Sequence, residues 1–527
     1  MWRRVARAED GRVTEIMTGP QMSPLEILAL LGAVALVVAR WLPAAARPPV
    51  TVAAGSAVVL CAAVLGVAGL RWQMLPVLAG AALALPFAFS PLVRRRRGAR
   101  PAGRARWWVA LPGSAVCLAL TAAGPGAAWA FPVPVFPGPT GRFAVGSRVV
   151  QWTDVDRPEA AAVDAGDRRV VVVQLWYPAE GGPAGAPRAR YLGRTEQEAR
   201  TVSGALARYA GLPGFLVDGV PRARSHALPG AVPAGGGARF PVVLFSPGLG
   251  GVRTQNTVWA EELASHGYVV AALDHPYDSA VVVLADGRTI GTGLAATGDD
   301  AEDERRAVET TRIRAADLGF VLTRLERLDR GEGGDPLAGR LDTAGAAVAG
   351  HSLGGAAALQ AARQDGRFTA VIDLDGYPRD PDPAPLRRPV LALTQAVGPA
   401  TDPRYLPRLA EVLGRATATG YRLTIPGAAH LTFTDAPLYL PPVPSMVGSL
   451  GRTRGPRVVA AATLAFLDAT VRRRPGDLAA ALSAYGDLTV HHPVAALSAY
   501  GDLTVHRPGA ALSAYGDLTV HRSGAGG

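Results

Sequence analysis

Apolar and polar positions divide this chain into a front part with long apolar runs and a longer back part in which short apolar runs alternate with amphipathic segments. The front part follows a polar, arginine-bearing tail, residues 1–23, and contains four apolar stretches. A helix needs about 20 apolar residues to cross the hydrocarbon core of a membrane. The pattern therefore predicts a bundle of about four transmembrane helices, near residues 24–44, 50–70, 73–93 and 107–131.

An arginine-rich loop between the third and fourth stretches indicates how this bundle is oriented. Arg94–Arg97 lie in it and three further arginines follow within ten residues. Short loops rich in arginine stay on the cytoplasmic side, so the chain after Phe131 is predicted to lie outside the cytoplasm. Four spans would place the N-terminus outside as well, whereas three spans with the N-terminus inside would also fit.

Two other interpretations of the apolar stretches compete with membrane spans. The fourth stretch resembles a signal segment, because Ala128-Trp129-Ala130 fits the small-residue pattern of a cleavage site. The stretches could also be buried helices of a soluble protein. Four of them in succession beside an arginine cluster favour membrane spans.

The back part follows a proline-rich linker, residues 132–144, and alternates strand and helix patterns. The clearest strands are the apolar runs 170–177 and 241–245. Residues 302–328 form an amphipathic pattern that predicts a long helix with four aliphatic residues facing the core: Leu318, Val321, Leu322 and Leu325. Such alternation predicts an α/β domain over residues 145–479, with a mostly parallel sheet and helices on both faces.

Two segments depart from this alternation. Residues 181–239 are rich in Gly and Pro and predict an insertion over the sheet, for which a lid is a plausible role. Residues 480–527 contain near-identical copies of one 15-residue string, at 480–494, 495–509 and 510–524. Units this short and broken by glycine do not bury a face on stacking, so we predict a loosely ordered tandem duplication rather than a solenoid.

Composition narrows the possible functions. The 527 residues carry a formal charge of +11, but every basic residue is arginine and none is lysine. No basic stripe interleaved with aromatic residues is present, so nucleic-acid binding is not predicted. The two cysteines, Cys61 and Cys117, both fall in the apolar stretches, and no His or Cys spacing fits a metal site. We predict no metal and no cofactor.

The motif with the most chemical content is Gly350-His351-Ser352-Leu353-Gly354-Gly355. It follows the apolar run 344–349 and precedes an alanine-rich helical pattern. A serine held on a tight turn between a strand and a helix needs small neighbours, because side chains at Gly350 or Gly354 would crowd the turn. The context predicts the nucleophile elbow of an α/β-hydrolase fold, with Ser352 as nucleophile.

A serine nucleophile needs a base and a carboxylate that orients it. His430 follows the last predicted strand in a loop of small residues and is the best candidate for the base. The acid should follow a strand between Ser352 and His430. Asp375 lies just past such a strand and is preferred, with Asp373, inside the strand end, as the alternative.

An earlier strand, residues 241–245, ends in the glycine-rich loop Ser246-Pro247-Gly248-Leu249-Gly250-Gly251. Glycines directly after a buried strand allow backbone N–H groups to point into a cleft. This is what stabilisation of an oxyanion requires.

Five strings together resemble the plasma-type platelet-activating factor acetylhydrolase family over residues 145–470. They are the end of an early strand, the glycine-rich loop, the helix–strand unit after it, the elbow and the strand end that carries the acid: Gln174-Leu175-Trp176-Tyr177-Pro178, Phe245-Ser246-Pro247-Gly248-Leu249-Gly250, Leu263-Ala264-Ser265-His266-Gly267-Tyr268-Val269-Val270-Ala271-Ala272, Gly350-His351-Ser352-Leu353-Gly354-Gly355 and Leu374-Asp375. That family removes short or oxidised acyl chains from phospholipids without calcium.

The resemblance implies Ser352 as nucleophile, Asp375 as acid and His430 as base. It also implies that the backbone N–H groups of Leu249 and Leu353 form the oxyanion hole. One departure is Pro247, where the animal enzymes have histidine. Ser-Pro-Gly at this place is more similar to cutinase-like esterases, which leaves the acyl and leaving-group preference open.

The leading hypothesis is a membrane-anchored, externally facing serine esterase that acts on a lipid or another acyl ester. A cutinase-like carboxylesterase, or an acyltransferase that passes the acyl group to an envelope acceptor, shares the same acyl-enzyme and is an alternative. A non-catalytic membrane protein that binds ligands on a hydrolase scaffold is the third. The oligomeric state is not fixed by the sequence.

Overall fold

The structure is a computed structural model that describes residues 22–96, 107–162, 164, 166–183, 185–294, 297–380, 382, 384–396, 398 and 402–493. The polar tail up to residue 21, most of the arginine-rich loop and the repeat copies after residue 493 lie outside the described residues. The chain divides into two compact units. The first runs to Val133 and includes Pro213–Val220 and Tyr439–Pro441, and the second comprises the rest.

The first unit contains four helices, one for each predicted span: α1 (Pro24–Ala39), α2 (Arg47–Ala68), α3 (Met74–Arg96) and α4 (Trp107–Ala130). Three stretches are long and apolar enough to cross a membrane: Arg47–Ala68, Met74–Val93 and Ala110–Ala130. The first helix has 16 residues. At 1.5 Å per residue it is about 24 Å long, less than the ~30 Å of a hydrocarbon core.

Small residues allow these helices to pack closely. A Cβ atom at Gly124 would lie 2.3 Å from Val77 Cγ2, and one at Gly80 would lie 2.8 Å from the carbonyl oxygen of Cys117. Close approach at glycines is typical of helix pairs in membranes. The charge of Glu26 is paired with Arg71 at 3.2 Å, with both side chains buried, so α1 places its one acidic residue in an ion pair.

The second unit is built on a sheet of ten strands in the order β12-β11-β10-β9-β8-β4-β5-β2-β1-β3. The ten are β1 (Ala144–Pro158), β2 (Arg168–Ala179), β3 (Leu228–Pro229), β4 (Phe240–Ser246), β5 (Val269–Asp274), β8 (Leu341–His351), β9 (Ala370–Leu374), β10 (Val390–Thr394), β11 (Gly420–Thr424) and β12 (Asp487–His491); β6 (Val281–Val283) and β7 (Thr289–Gly291) form a separate hairpin. The six central strands of the sheet, β11, β10, β9, β8, β4 and β5, pair in parallel.

The α-helices of this unit among the described residues are α5 (Glu196–Tyr209), α6 (Thr257–Ser265), α7 (Asp300–Asp329), α8 (Leu353–Gln364), α9 (Tyr405–Gly414), α10 (Pro444–Val447), α11 (Arg454–Thr470) and α12 (Leu478–Ser483). Five of them, α6 to α9 and α11, cover the two faces of the sheet. Along β4, Val242 and Leu244 belong to the core under α7, α8 and α9, whereas Val243 and Phe245 belong to the core under α6 and α11. This alternation follows from the period of two in a strand. The predicted α/β-hydrolase fold, preceded by a helical bundle, is confirmed.

The long helix α7 supplies much of the first core. Its four aliphatic residues that the sequence pattern directed inward, Leu318, Val321, Leu322 and Leu325, are all fully buried. Their spacing of three and four residues places them on one face of the helix. The prediction of which face packs on the sheet is therefore confirmed.

Two strands of the ten-stranded sheet lie where the sequence pattern gave no strand, and the hairpin of β6 and β7 was not predicted either. The two-residue β3, near the end of the 181–239 insertion, pairs with β1 and extends one edge of the sheet. At the other edge, β12 pairs antiparallel with β11 over five residues. Because β12 belongs to the first repeat copy, that copy is an ordered part of the domain, and the sheet continues past the boundary predicted at residue 479.

Candidate active site

The predicted elbow is a tight turn between β8 and α8. Ser352 has φ 55° and ψ −120°, a backbone conformation that non-glycine residues rarely adopt and that typically marks a functional site. A Cβ atom at Gly350 would lie 2.0 Å from the carbonyl oxygen of Gly354, and one at Gly354 would lie 2.0 Å from that of Ser246. The two elbow glycines are therefore required by close backbone contacts, as predicted for this turn.

The predicted acid and base are joined by a hydrogen bond. His430 Nδ1 lies 2.7 Å from Asp375 Oδ2, and the Asp375 side chain is buried whereas the His430 ring is 42% exposed. Asp375 Oδ1 accepts from the backbone N–H of Gln395 at 3.0 Å and from the Tyr405 hydroxyl at 3.2 Å. Since Nδ1 donates to the carboxylate, Nε2 of His430 is left as the proton acceptor.

The side chain of the alternative acid, Asp373, has a different hydrogen-bond partner. Its side chain is fully buried, and Oδ1 accepts from the backbone N–H of Gly376 at 2.9 Å. Burial, together with the neighbouring charge of Asp375, raises the pKa of Asp373 well above its ordinary value. Among the described residues Asp373 has no hydrogen bond to His430, whereas Asp375 bonds directly to that ring, so the geometry favours Asp375 over Asp373.

Backbone contacts bring Ser352 next to this pair. Its N–H donates to the carbonyl oxygen of Leu374 at 2.9 Å, directly before Asp375. On its other side, the ring of His351 bonds to the carbonyl oxygen of His430. Among the described residues, no hydrogen bond joins the Ser352 hydroxyl to His430, a gap that is common in enzymes without substrate.

The two amides predicted for the oxyanion hole belong to segments that approach each other closely. Leu249 follows β4 and Leu353 opens α8, and the close approach of Gly354 to Ser246 presses these two segments together. Neither N–H group donates to another group of the described residues. Two unpaired donors beside a strained serine can bind an oxygen that becomes negatively charged.

The part of the chain that contains this geometry is similar to a known protein family. The model of the family described as platelet-activating factor acetylhydrolase, isoform II, matches residues 135–473. The chain belongs to this family. The predicted resemblance is thereby confirmed for the region that contains the elbow, the candidate acid and base, and the glycine-rich loop Ser246–Gly251, called the oxyanion loop for its predicted role.

Individual relatives of the acetylhydrolase family are similar over a shorter segment. The platelet-activating factor acetylhydrolase of Cavia porcellus is 32% identical over 158 residues, 27% of this chain and 36% of that protein. A probable 1-alkyl-2-acetylglycerophosphocholine esterase of Arthroderma benhamiae is 30% identical over 139 residues, 26% of this chain and 31% of that protein. The chain therefore matches about a third of the length of these curated relatives.

A solved structure is similar over more of the fold. The ferulic acid esterase of Streptomyces cinnamoneus has a TM-score of 0.54 and 31% identity, and the match covers 67% of this chain and 98% of that one. The named relatives of this acetylhydrolase-family domain are ester hydrolases, which agrees with the predicted enzyme class.

A bridge between the oxyanion loop and the base was not predicted from the sequence. Gln255 Oε1 accepts from the Gly248 N–H at 2.7 Å, and Gln255 Nε2 lies 3.2 Å from His351 Nδ1. His351 Nε2 lies 3.0 Å from the carbonyl oxygen of His430. Burial, and then the charge of His430, lowers the pKa of His351 well below its ordinary value. A neutral His351 accepts at Nδ1 and donates at Nε2, which fits both partners.

The insertion also reaches the oxyanion loop. Gly250 has φ 68°, and a Cβ atom there would lie 2.3 Å from the ring of Tyr209, at the end of α5. The Tyr209 ring is 40% exposed. The insertion thus supplies an aromatic surface beside the loop that carries Leu249, and the lid predicted for it stays a prediction.

No cluster of metal ligands accompanies this site. Among the described residues, no group of three or more His, Cys, Asp or Glu side chains could hold a metal ion.

Replacement of Gly354 by alanine is expected to damage the site. The new methyl group would collide with the carbonyl oxygen of Ser246 and push the oxyanion loop from the elbow. A displacement of about 1 Å typically lowers the rate about 100-fold, and overpacking destabilises by about 1–3 kcal/mol. Ester hydrolysis and thermal unfolding measure both effects. Gly366→Ala, where a Cβ atom meets nothing within 4 Å, is the matched control, and equal behaviour of the two variants would contradict the assignment.

The pKa of His351 predicts how stability depends on pH. Folding keeps this ring neutral, whereas the unfolded chain binds a proton below about pH 6.5, so the contribution of His351 to stability is lost as pH falls below that value. His351→Gln preserves one donor and one acceptor but does not titrate. The Tm of this variant relative to the parent should rise as pH is lowered from 7.5 to 5.5, measured by scanning calorimetry in detergent. A Tm difference that is independent of pH would contradict a neutral His351.

Proposed function

We propose that the second unit is a serine carboxylic ester hydrolase that uses Ser352, Asp375 and His430 as its triad. The observation that carries the proposal is the 2.7 Å bond between His430 and the buried Asp375, beside a serine on a strained elbow. These groups come from the ends of three different strands, as expected when a parallel sheet positions a site at its carboxyl edge. Membership of the acetylhydrolase family supports the same reaction.

The reaction follows from the geometry. The Ser352 oxygen attacks the ester carbonyl carbon while Nε2 of His430 takes the hydroxyl proton, and Asp375 stabilises the resulting imidazolium. The carbonyl oxygen becomes negative and binds the N–H groups of Leu249 and Leu353. The C–O bond to the leaving alcohol then breaks, and His430 returns the proton to that oxygen. Water, activated by His430, releases the acyl group from Ser352 in the same manner.

For the substrate we propose a short-chain or oxidised acyl ester of a phospholipid or a similar lipid. The support is the names of the relatives, which are acetylhydrolases and an esterase of 1-alkyl-2-acetylglycerophosphocholine. The three membrane-length helices fit a lipid substrate, because they would hold the domain near the bilayer. A carboxylesterase of a non-lipid ester is the second candidate, since the ferulic acid esterase is covered over 98% of its length.

A substrate panel separates these candidates. The full chain in detergent would be assayed with p-nitrophenyl esters of two to twelve carbons, with 1-alkyl-2-acetylglycerophosphocholine and with methyl ferulate. The proposal expects the highest kcat/KM for the two-carbon esters, the phospholipid included. A preference for methyl ferulate would select the second candidate, and the absence of any ester hydrolysis would overturn both.

An acceptor test addresses transfer of the acyl group. An acyltransferase would pass the acyl group from Ser352 to an added alcohol or sugar in preference to water. Product analysis with and without the acceptor measures the two outcomes. Free carboxylic acid as the main product in both reactions is expected for the proposed hydrolase.

We further propose that the helices of the first unit anchor the protein in the membrane, with the catalytic unit on the extracytoplasmic side. The arginine-rich loop supports this side. The two native cysteines are buried, so Gly181→Cys, at an exposed position, would provide an accessible thiol. A membrane-impermeant maleimide should label it in intact cells but should not label Ala99→Cys in the loop. The reverse pattern would contradict the orientation.

A further inference from the structure

A buried arginine lies directly beneath the oxyanion loop. Arg314, on α7, is fully buried and bonds to the loop through both terminal nitrogens. Nη1 donates to the carbonyl oxygen of Pro247, and Nη2 donates to that of Gly248 at 3.1 Å. Nη1 also lies 3.3 Å from the hydroxyl oxygen of Ser246. One guanidinium group therefore contacts three successive residues of the loop.

These contacts, together with the bond from the Gly251 N–H to the carbonyl oxygen of Gly248 at 2.8 Å, fix where the loop amides point. In a planar trans peptide the C=O and the following N–H point in opposite directions. With its carbonyl oxygen on Arg314, the Pro247–Gly248 peptide directs the Gly248 N–H to Gln255, where it is bonded. The Gly248–Leu249 peptide in turn directs the Leu249 N–H away from Arg314, and this N–H has no partner among the described residues.

Arg314 is itself fixed. Asp278 accepts from its Nε and, at 2.6 Å, from its Nη2, a fork-to-fork pair that fixes the plane of the guanidinium. Next to it, His275 Nε2 bonds to the Ser246 hydroxyl at 2.9 Å, and His275 Nδ1 bonds to Asp317 at 2.8 Å. This second Ser-His-Asp chain is fully buried, so it cannot reach a substrate and serves to hold the end of β4.

We propose that Arg314 is a positioning residue that turns the Leu249 N–H into the oxyanion hole. The inference rests on the proposed function, because it assigns a role within the same site. Arginine is required because a lysine ammonium cannot bind the two loop carbonyls and both oxygens of Asp278 in one plane. Without the clamp, the Gly248–Leu249 peptide is held only by the bond from the Gly251 N–H to its carbonyl oxygen, at 2.8 Å. Its direction is then less well fixed, and the transition state loses part of one donor.

The test compares an oxoester with its thionoester, in which sulfur replaces the carbonyl oxygen. An aligned N–H group binds a developing oxyanion better than the larger, weaker acceptor sulfur, so an intact oxyanion hole gives a high ratio of kcat/KM for the two substrates. The ratio is measured on one preparation and is independent of the fraction of active protein. A loss of folding alone therefore does not change it.

The variants are Arg314→Lys and Asp278→Asn in the full chain, with Arg312→Lys as the matched control. Arg312 lies on the same helix, but its side chain is 61% exposed and pairs with Glu309. We expect Arg314→Lys to lower kcat about 10- to 100-fold, below the roughly 100- to 1000-fold of a donor removed outright, with a KM within about threefold and a lower oxo-to-thiono ratio. Arg312→Lys should leave all three unchanged.

An unchanged oxo-to-thiono ratio in Arg314→Lys would overturn the inference while leaving the proposed function intact, because the parent would still hydrolyse the oxoester. If Arg314→Lys does not accumulate as folded protein, Asp278→Asn decides. This variant keeps Arg314 and the size of its partner but removes the charge that orients the guanidinium. A lower oxo-to-thiono ratio in this variant would support the inference, and an unchanged ratio would overturn it. A parent that hydrolyses neither ester would instead overturn the proposed function.

Discussion

Ser352→Ala is expected to lower kcat for short-chain ester hydrolysis by about 10⁴- to 10⁶-fold, since removal of the nucleophile of a serine triad typically has effects of this size. Without the hydroxyl no acyl-enzyme forms, and only binding and the oxyanion amides remain. The measurement is the initial rate with p-nitrophenyl acetate together with covalent labelling by a fluorophosphonate probe. Both should be lost in the variant.

Ser483→Ala is the control for this prediction. Ser483 lies on α12, is exposed and bonds only to a carbonyl of its own helix. Its replacement should change the rate by less than about twofold, as is usual for surface positions. Full labelling of the Ser352→Ala protein would place the reactive nucleophile elsewhere and would remove the basis of the proposed mechanism.

Asp375→Asn is expected to lower kcat by about 10⁴-fold, the size typical for the acid of such a triad. An amide at this position carries no negative charge to stabilise the imidazolium of His430, and it favours the wrong tautomer of that ring. Asp373→Asn is the matched comparison two residues earlier. Burial and the charge of Asp375 raise the pKa of Asp373, and among the described residues its side chain does not bond to His430, so the rate should stay within about tenfold of the parent.

Steady-state rates for both variants between pH 6 and 9, with a circular dichroism spectrum as a check of folding, provide the measurement. If Asp373→Asn were the inactive protein and Asp375→Asn the active one, the hydrogen bond between Asp375 and His430 would not be the one that catalysis uses.

The sequence located the elbow because its requirements are local. A strand, two small residues around Ser352 and a following helix occupy adjacent positions, and the structure shows each of them. The choice between Asp375 and Asp373 is harder to make from the sequence, since both lie close to the end of β9. The choice depends on Asp375 standing past the last strand residue, where φ 54° turns it out of the strand, whereas Asp373 stays buried in the sheet.

Contacts between distant parts of the chain could not be predicted. Arg314 lies 66 residues from Gly248 in sequence, and one arginine on an amphipathic helix carries no sign that its side chain is buried rather than solvated. The same applies to Gln255, which bonds to His351 across 96 residues. The edge strand β12 was missed because its five residues lie in a repeat whose period suggested a duplication outside the domain.

The apolar stretches coincide with α1 to α4, but the length of the first is overestimated. Trp41–Leu42 extend the apolar pattern of this stretch beyond the helix, which begins at Pro24 and ends at Ala39. Its start is fixed by a capping box, in which Ser23 and Glu26 bond to each other's backbone N–H groups. The predicted start agrees with this cap, and the overestimate lies at the other end, where the helix ends at Ala39 although the apolar pattern continues past Arg40.

The contact of Tyr209 with Gly250 separates two tasks in the chain. The residues of the proposed triad, Ser352, Asp375 and His430, follow the ends of strands, whereas the aromatic ring beside Gly250 comes from the inserted helix α5. A mutant library confined to residues 196–209 therefore leaves the proposed triad intact. Substrate range can be searched by directed evolution in that short helix without rebuilding the catalytic centre.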